Sequence, residues 1–133
     1  MENLRFKFRV VYYNDVEKKY FIFEPDLISA DGTARAYAYG ESGADEYYDT
    51  VTLNQCTGLK DKNGKLIYEG DIVRFYSLYG HATFEIKWNE EFATFGCEDN
   101  ETDFSELGRL YDEAAFVEVF GNIYENKEIL NEI

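Results

Sequence analysis

Apolar and polar residues alternate along the first part of the chain, and a period of two is typical of a β-strand with one buried face. The apolar residues from Leu4 to Tyr12 share one parity, and the basic residues from Arg5 to Arg9 share the other. We therefore expect one face of this strand in the core and one in solvent. Asn14-Asp15 supplies turn chemistry before a second apolar run, so the pattern predicts an N-terminal β-hairpin.

The central segment predicts a second hairpin. Apolar runs at residues 51–53 and 66–68 flank Asn63-Gly64, a dipeptide that favours a type I′ turn with positive φ at both residues. The following Glu69-Gly70-Asp71 predicts a sharp turn, because glycine tolerates unusual backbone angles and the Asp71 carboxylate can accept hydrogen bonds from nearby amides. A strand should begin directly after this turn.

Three later segments also read as strands: residues 81–88, 92–97 and 116–124. Gly121 interrupts the parity of the last one, as the glycine of a β-bulge would. Residues 103–111 begin with a capping-box pattern, Asp103 with Glu106, and predict one or two helical turns. The acidic segment 40–49 is interpreted as a loop.

These elements predict a mainly β fold with minor α content, consisting of a small SH3-like barrel and an additional N-terminal β-hairpin or sheet. We expect one domain over residues 1–133, with residues 1–57 as the N-terminal extension and 58–133 as the barrel portion. The predicted barrel core is Val73, Phe75, Phe84, Ile86, Trp88, Phe95, Val117, Val119 and Ile123.

The net negative charge of the chain argues against partners that are themselves anionic. The chain has 133 residues, 27 of them acidic and 13 basic, and its formal net charge is −14. This charge repels phosphates and anionic lipids, so we expect neither direct nucleic-acid binding nor membrane binding. The two cysteines do not form a dense disulfide framework, and no apolar run is long enough for a signal peptide or a membrane span. A cytoplasmic location is the expectation.

Three separated motifs resemble the YopX family of phage and prophage proteins: Lys7-Phe8-Arg9, the segment from Gln55 to Val73, and the segment from Val119 to Asn126. The resemblance implies a small β-rich protein encoded by a mobile element, and it implies no particular activity. Positions that match the family pattern are expected to be structural, and they are Arg9, Gln55, Thr57, Gly58, Asp61, Gly64, Tyr68, Gly70, Asp71, Gly121 and Asn122.

Candidate catalytic groups are few. His81 is the sole histidine and lies at a predicted turn, so we interpret it as a surface residue. Cys56 has no base that the sequence can place beside it, and a buried thiol is the more common state of such a residue. An EF-hand that starts at Asp99 fails, because Phe104 falls at the glycine position and Leu110 at the bidentate glutamate. We expect no catalytic residue, metal or cofactor.

Surface chemistry leaves two further possibilities. The basic stripe Arg5, Lys7 and Arg9 could contact phosphates, but internal ion pairs with acids of segments 41–49 or 98–113 are the favoured interpretation. Twelve tyrosines and eleven phenylalanines exceed what we expect a core of this size to need. Tyrosine combines a large contact area with a hydroxyl group and is common at protein interfaces. Candidate interface residues are Tyr12, Tyr13, Tyr76 and Tyr79.

Three hypotheses of function follow. The preferred one is a non-enzymatic module that binds a protein partner or a second copy of itself. The second is an acidic mimic of nucleic acid that inhibits a host DNA-binding or defence protein, since residues 89–118 contain ten acids and one base. The third is an enzyme that uses paired carboxylates among Asp71, Glu85, Glu90 and Glu118, and it is the least favoured.

Overall fold

A computed structural model of the chain describes residues 7–24, 27–28, 34–39, 45–48, 52–99 and 103–131. The predicted mainly β fold is confirmed, with a curled sheet that forms a half-barrel. The described residues include no helix of the length and apolar character needed to cross a membrane. The strands are β1 (Phe8–Asn14), β2 (Lys19–Phe23), β3 (Leu27–Ile28), β4 (Ala34–Tyr39), β5 (Asp45–Tyr48), β6 (Thr52–Lys60), β7 (Leu66–Tyr68), β8 (Asp71–Ser77), β9 (Gly80–Glu85), β10 (Lys87–Asn89), β11 (Thr94–Asp99), β12 (Asp103–Glu106) and β13 (Phe116–Asn122).

Four antiparallel sheets arise from these strands. Their orders are β2-β1-β6-β7, β10-β11-β12, β13-β8-β9 and β3-β4-β5. Strand β6 continues without a break through residues 57–58, where the sequence predicts the boundary between the extension and the barrel portion. The first half of β6 pairs with β1, and its second half pairs with β7. The N-terminal hairpin therefore shares one hydrogen-bonded sheet with the hairpin that follows.

The hydrophobic core lies between these sheets and the helix α1 (Leu107–Glu113). Most residues of the predicted core belong to it or pack against it, but Ile123 and Trp88 do not. Ile123 is half-buried, and Trp88 is 46% exposed on the edge strand β10 and contacts Phe95 edge-on. An edge strand leaves one side of its residues uncovered, and this explains the exposure of the indole. The buried cluster consists of Ile67, Val73, Phe75, Ile86, Cys97, Leu107 and Val117.

Strand β1 does not have the solvent face that its alternation predicts. Arg9, Val10 and Val11 are all buried, although Arg9 has the parity assigned to solvent. The reason is position: β1 lies between β2 and β6, and the turn that joins β7 to β8 covers the side of the strand that carries Arg9. The alternation of the sequence shows only which residues are polar. Arg9 is polar but buried, because its hydrogen-bonding partners are buried with it.

The turn between β6 and β7 has the predicted position but a different conformation. Gly64 has φ +82°, whereas Asn63 is not among the non-glycine residues with positive φ, so the type I′ prediction is wrong. The Asp61 carbonyl accepts from Gly64 N, and Asp61 N donates to the Lys65 carbonyl. This is a three-residue loop with a type I turn followed by a left-handed glycine.

Two other local predictions need correction. Residues 103–106 form the strand β12, and the helix begins only at Leu107, without a side-chain cap at Glu106. Pairing of β12 with β11 takes precedence over the capping-box pattern. Segment 40–49, interpreted as a loop, contains β5, which pairs Tyr47 with Tyr37 of β4. The high β-propensity of tyrosine outweighs the acidic composition of this segment.

Gly121 is confirmed as a bulge residue, because the register between β13 and β8 shifts between Val119 and Gly121. A Cβ atom on Gly121 would lie 2.4 Å from Oδ1 of Asn126, which accepts a hydrogen bond from Asn122 N. The glycine therefore lets the end of β13 close tightly against the turn that follows.

A matched pair of glycines tests this packing. A Cβ atom on buried Gly96 of β11 would lie 2.3 Å from the Ser105 carbonyl oxygen, whereas a Cβ atom on Gly108 of α1 would meet nothing within 4 Å. We expect Gly96→Ala to lower the free energy of unfolding by at least about 2 kcal/mol. We expect Gly108→Ala to raise it by about 0.5–1 kcal/mol through helix propensity. Urea denaturation of both variants measures the difference, and similar values for the two would contradict the described β11–β12 packing.

Candidate functional site

The most distinctive polar feature is a buried ion pair between two residues of the family motifs. Nη1 of Arg9 lies 2.6 Å from Oδ1 of Asp71, and the two residues are only 8% and 1% exposed. They lie near the start of β1 and at the start of β8, and they are 62 residues apart in sequence. The pair therefore joins the N-terminal hairpin to the β7–β8 turn.

The other two nitrogens of the Arg9 guanidinium also donate hydrogen bonds. Nε donates to Oδ1 of Asn54 at 3.0 Å, and Nη2 donates to the Glu69 carbonyl oxygen at 3.3 Å. Asn54 in turn donates from Nδ2 to the Tyr124 hydroxyl at 3.0 Å. We call Arg9, Asn54, Asp71 and Tyr124 the polar core. A buried charge is tolerated when its hydrogen-bonding capacity is satisfied in this way.

Asp71 also fixes the local turn, as its sequence predicts. Its second carboxylate oxygen, Oδ2, accepts from Tyr68 N at 2.8 Å, and the Arg9 guanidinium lies 5.0 Å from the centre of the Tyr68 ring. Burial raises the pKa of Asp71, while Arg9 and the Tyr68 amide oppose the rise. Both carboxylate oxygens thus accept a hydrogen bond, so Asp71 is held in place by β1 and by its own turn.

Gly70 allows the polar core to close. Its φ is +86°, and a Cβ atom there would lie 3.3 Å from both Oδ1 of Asn54 and the Tyr124 ring. Its backbone N donates to the Ile86 carbonyl, and its carbonyl accepts from Ile123 N. A side chain at this position would combine backbone strain with crowding. The glycine of the sequence motif is therefore required by both angle and space.

Asp61 has a similar role at the β6–β7 loop. Its Oδ1 accepts from Asn63 N and Lys65 N, each at 2.9 Å, and its Oδ2 accepts from Val119 N at 3.0 Å. Burial alone raises the pKa of Asp61, but these three amide donors outweigh it and lower the pKa below its usual value. The carboxylate thus ties the loop to β13.

The other family-motif residues also lie at turns and strand junctions. Gln55 N donates to the Glu69 carboxylate, and the Thr57 hydroxyl donates to the Ile67 carbonyl, so both tie β6 to β7 or its turn. Gly58 has φ +89° within the register shift between β6 and β7. Oδ1 of Asn122 accepts from Tyr124 N and Glu125 N. The motif positions are thus placed where the backbone turns or where strands join.

Neither cysteine is placed for chemistry. Cys56 and Cys97 are both buried and free. Burial raises the pKa of Cys56 and raises that of Cys97 to about 12, which suppresses the reactive thiolate. His81 is exposed, and its ring packs edge-on against Tyr76 with ring centres 5.6 Å apart.

Two of the four candidate carboxylates have cationic partners, and the other two, Glu85 and Glu90, line one open cleft. Asp71 is bound by Arg9, and Glu118 lies 2.6 Å from Nζ of Lys62. Among the residues described, no group of three or more His, Cys, Asp or Glu side chains is arranged to hold a metal ion. Glu101 of the tested acidic run lies outside the described residues.

The basic stripe is used for internal contacts. Arg9 pairs with Asp71, which belongs to neither of the acidic segments proposed as partners, and Lys7 lies 3.9 Å from Glu24. Arg5 falls outside the described residues. Arg9 and Lys7 thus have internal acidic neighbours, Asp71 and Glu24, and both neighbours lie outside segments 41–49 and 98–113.

The candidate interface tyrosines separate into two groups. Tyr13 is exposed and contacts Tyr20, with ring centres 4.9 Å apart, whereas the neighbouring Tyr12 is half-buried. Tyr76 and Tyr79 lie on the β8–β9 hairpin, where Tyr76 stacks on Phe116 at 4.4 Å. Tyr76 and Tyr79 therefore belong to one hairpin, whereas Tyr12 and Tyr13 belong to strand β1.

The tip of the β8–β9 hairpin exposes large apolar side chains. Leu78 is 95% exposed and Tyr79 is 98% exposed. An open cleft of about 380 Å³ lies between this hairpin and the end of α1, and it is lined in part by Tyr76, Tyr79 and Leu110. We call Tyr76, Leu78, Tyr79, His81 and Phe116 the hairpin-tip surface. Sequence reasoning missed Leu78 and Phe116, since single apolar residues in a strand pattern do not reveal their exposure.

The geometry defines a small β-rich protein whose shared sequence motifs hold its turns and strand junctions together. Its residues 7–131 match the family model described as YopX protein, and the chain belongs to this family. Among solved structures it is similar to protein EF1440 from Enterococcus faecalis, with 27% sequence identity and a TM-score of 0.55. That match covers 93% of this chain and 96% of the other. A comparison with curated proteins finds no match.

The pH dependence of stability tests the role of Asp61. Because its folded pKa is lowered, its contribution is present above the unfolded value near pH 4 and is lost as pH falls through the folded value. We expect Asp61→Asn to cost about 1–3 kcal/mol at pH 7, since the amide cannot accept all three hydrogen bonds. The difference from the wild type should shrink below about pH 4. Urea denaturation at pH 7 and pH 3 measures it, and a difference independent of pH would refute this role for the carboxylate.

Proposed function

We propose that this YopX-family chain is a non-enzymatic accessory protein, encoded by a phage or prophage, that acts by binding another protein. The observation that carries the proposal is the exposure of Leu78 and Tyr79 at the tip of the β8–β9 hairpin. The phage or prophage origin is an extension from the resemblance of its motifs, and a bacterial cytoplasm is the matching location.

The hairpin-tip surface has the composition of a protein contact. Tyrosine, phenylalanine and leucine supply a large apolar area, and the Tyr76 and His81 side chains supply polar atoms beside it. A turn of four residues could have been closed by small polar side chains, yet Ser77-Leu78-Tyr79-Gly80 places two large apolar ones in water. Clustered exposed apolar groups mark interaction sites more often than isolated ones do.

The base of the hairpin is rigid enough to present this surface. Strand β8 pairs with β9 over six residue pairs and with β13 on its other side. Lys62, held by Glu118 at 2.6 Å, lies 4.8 Å from the centre of the Phe116 ring and fixes that side of the cluster. A preformed surface costs less conformational entropy when it binds.

The two other hypotheses have less support. Three acids of segment 89–118 already pair with cations: Glu98 with Lys87, Glu113 with Arg109 and Glu118 with Lys62. These pairs reduce the negative charge available for mimicry of nucleic acid. The carboxylate enzyme is disfavoured because Asp71, one of its candidates, serves as the counter-ion of Arg9.

A double substitution at the hairpin tip tests the proposal. We expect Leu78→Ser with Tyr79→Ser to abolish either self-association or capture of a partner from a bacterial host lysate, with at least about a tenfold loss of affinity. Stability should change little, because both side chains are in solvent. Light scattering after size-exclusion chromatography measures self-association, and affinity capture with the purified partner measures binding.

Val16→Ser is the matched control, because Val16 is 91% exposed in the turn between β1 and β2. It removes a comparable exposed apolar side chain from a different hairpin, so it should leave binding unchanged. The proposal fails if the wild type is a monomer without a protein partner, or if the double variant binds as well as the wild type.

A further inference from the structure

A second open cleft lies away from the hairpin tip, beside the polar core. Its volume is about 500 Å³, and its walls come from β6, the β7–β8 turn, the β9–β10 junction and the end of the chain near Tyr124. This size admits a long side chain together with part of its backbone. Its lining includes three acidic residues, Glu69, Glu85 and Glu90, and two aromatic residues, Trp88 and Tyr124.

Glu85 is the unusual member of this set. It is half-buried, and the described residues provide its carboxylate with neither a hydrogen bond nor an ion pair. Burial raises its pKa, and Lys87 and Lys127 oppose the rise only from a distance. Lys87 lines the same cleft, but its Nζ lies near Glu98. A partly buried carboxylate without a partner is stabilised by an incoming cation.

Trp88 supplies an apolar wall for the same cleft. Its ring is 46% exposed, although it lies next to the core residue Ile86. An indole face attracts cations, and its area also covers the methylene stem of a lysine or arginine. The cleft thus offers both parts that a long basic side chain needs, namely an aromatic surface for the stem and carboxylates for the charge.

We propose that this cleft receives one lysine or arginine side chain of the protein partner. Glu85 and Glu90 contact the cationic head, and Trp88 packs against the stem. The net charge of −14 adds to this local chemistry, because it attracts partners with basic surfaces and repels a second copy of the chain. The inference rests on the proposed function for the statement that the partner is a protein, but the cleft can be tested without that partner.

Trp88 is the sole tryptophan of the chain, so its fluorescence reports on the cleft directly. The probes are two capped tripeptides, Gly-Lys-Gly and Gly-norleucine-Gly, which differ by a charged amine at the end of the side chain. We expect the lysine peptide to change the Trp88 emission in a saturable way and the norleucine peptide to have little effect. Glu85→Gln should weaken lysine-peptide binding about three- to tenfold.

Glu90→Gln changes a second acidic residue of the cleft, and this residue is exposed. It therefore tests the proposal even if Glu85→Gln disturbs folding. Glu17→Gln is the control, since it makes the same change of charge in the β1–β2 turn, at a residue that does not line the cleft. An equal response to norleucine, equal weakening by Glu17→Gln, or no saturable response to lysine overturns the proposal. The variant with Leu78→Ser and Tyr79→Ser should keep the lysine response, so failure of the cleft and failure of the hairpin-tip surface are distinguishable.

Discussion

The ion pair between Arg9 and Asp71 is the interaction on which the arrangement of this protein depends. It joins β1, in the middle of the N-terminal sheet, to the first residue of β8, in the middle of another. Both charges are removed from water, so each requires the other and its surrounding hydrogen bonds. Removal of one partner leaves the other charge buried without compensation, whereas an apolar replacement of both residues of such a pair can be equally stable.

Around this pair, the shared motifs of the YopX family acquire a physical meaning. Gly70 permits close approach to Asn54 and Tyr124, while Asp61 and Asn122 use their side chains to satisfy amides of nearby turns. These positions hold the framework. The hairpin-tip surface lies outside the family motifs, whereas the Trp88 cleft combines motif residues such as Gly70 and Tyr124 with Glu85, Trp88 and Glu90 from outside them.

Local sequence patterns predicted much of the framework. Alternation located the first hairpin, the Glu69-Gly70-Asp71 turn was correct, and the parity break at Gly121 marked a bulge. The polar core could not be predicted in this way, because Arg9 and Asn54 are 45 residues apart and Asn54 and Tyr124 are 70 apart. Contacts over such separations leave no periodic signal in one chain. The exposure of Trp88 was missed for a related reason. Tryptophan is typical of a hydrophobic core, but Trp88 lies on an edge strand, and strand order cannot be read from local sequence.

A double-mutant cycle between Arg9 and Asp71 tests the central claim most directly. The free energy of unfolding would be measured by urea denaturation for Arg9→Met, Asp71→Asn and the double variant. Each single change should cost about 3–5 kcal/mol, because it leaves the other group buried without its partner. The double variant should lose little more than either single variant, so that the coupling energy is at least about 2 kcal/mol. Additive losses, with a coupling energy near zero, would contradict the account.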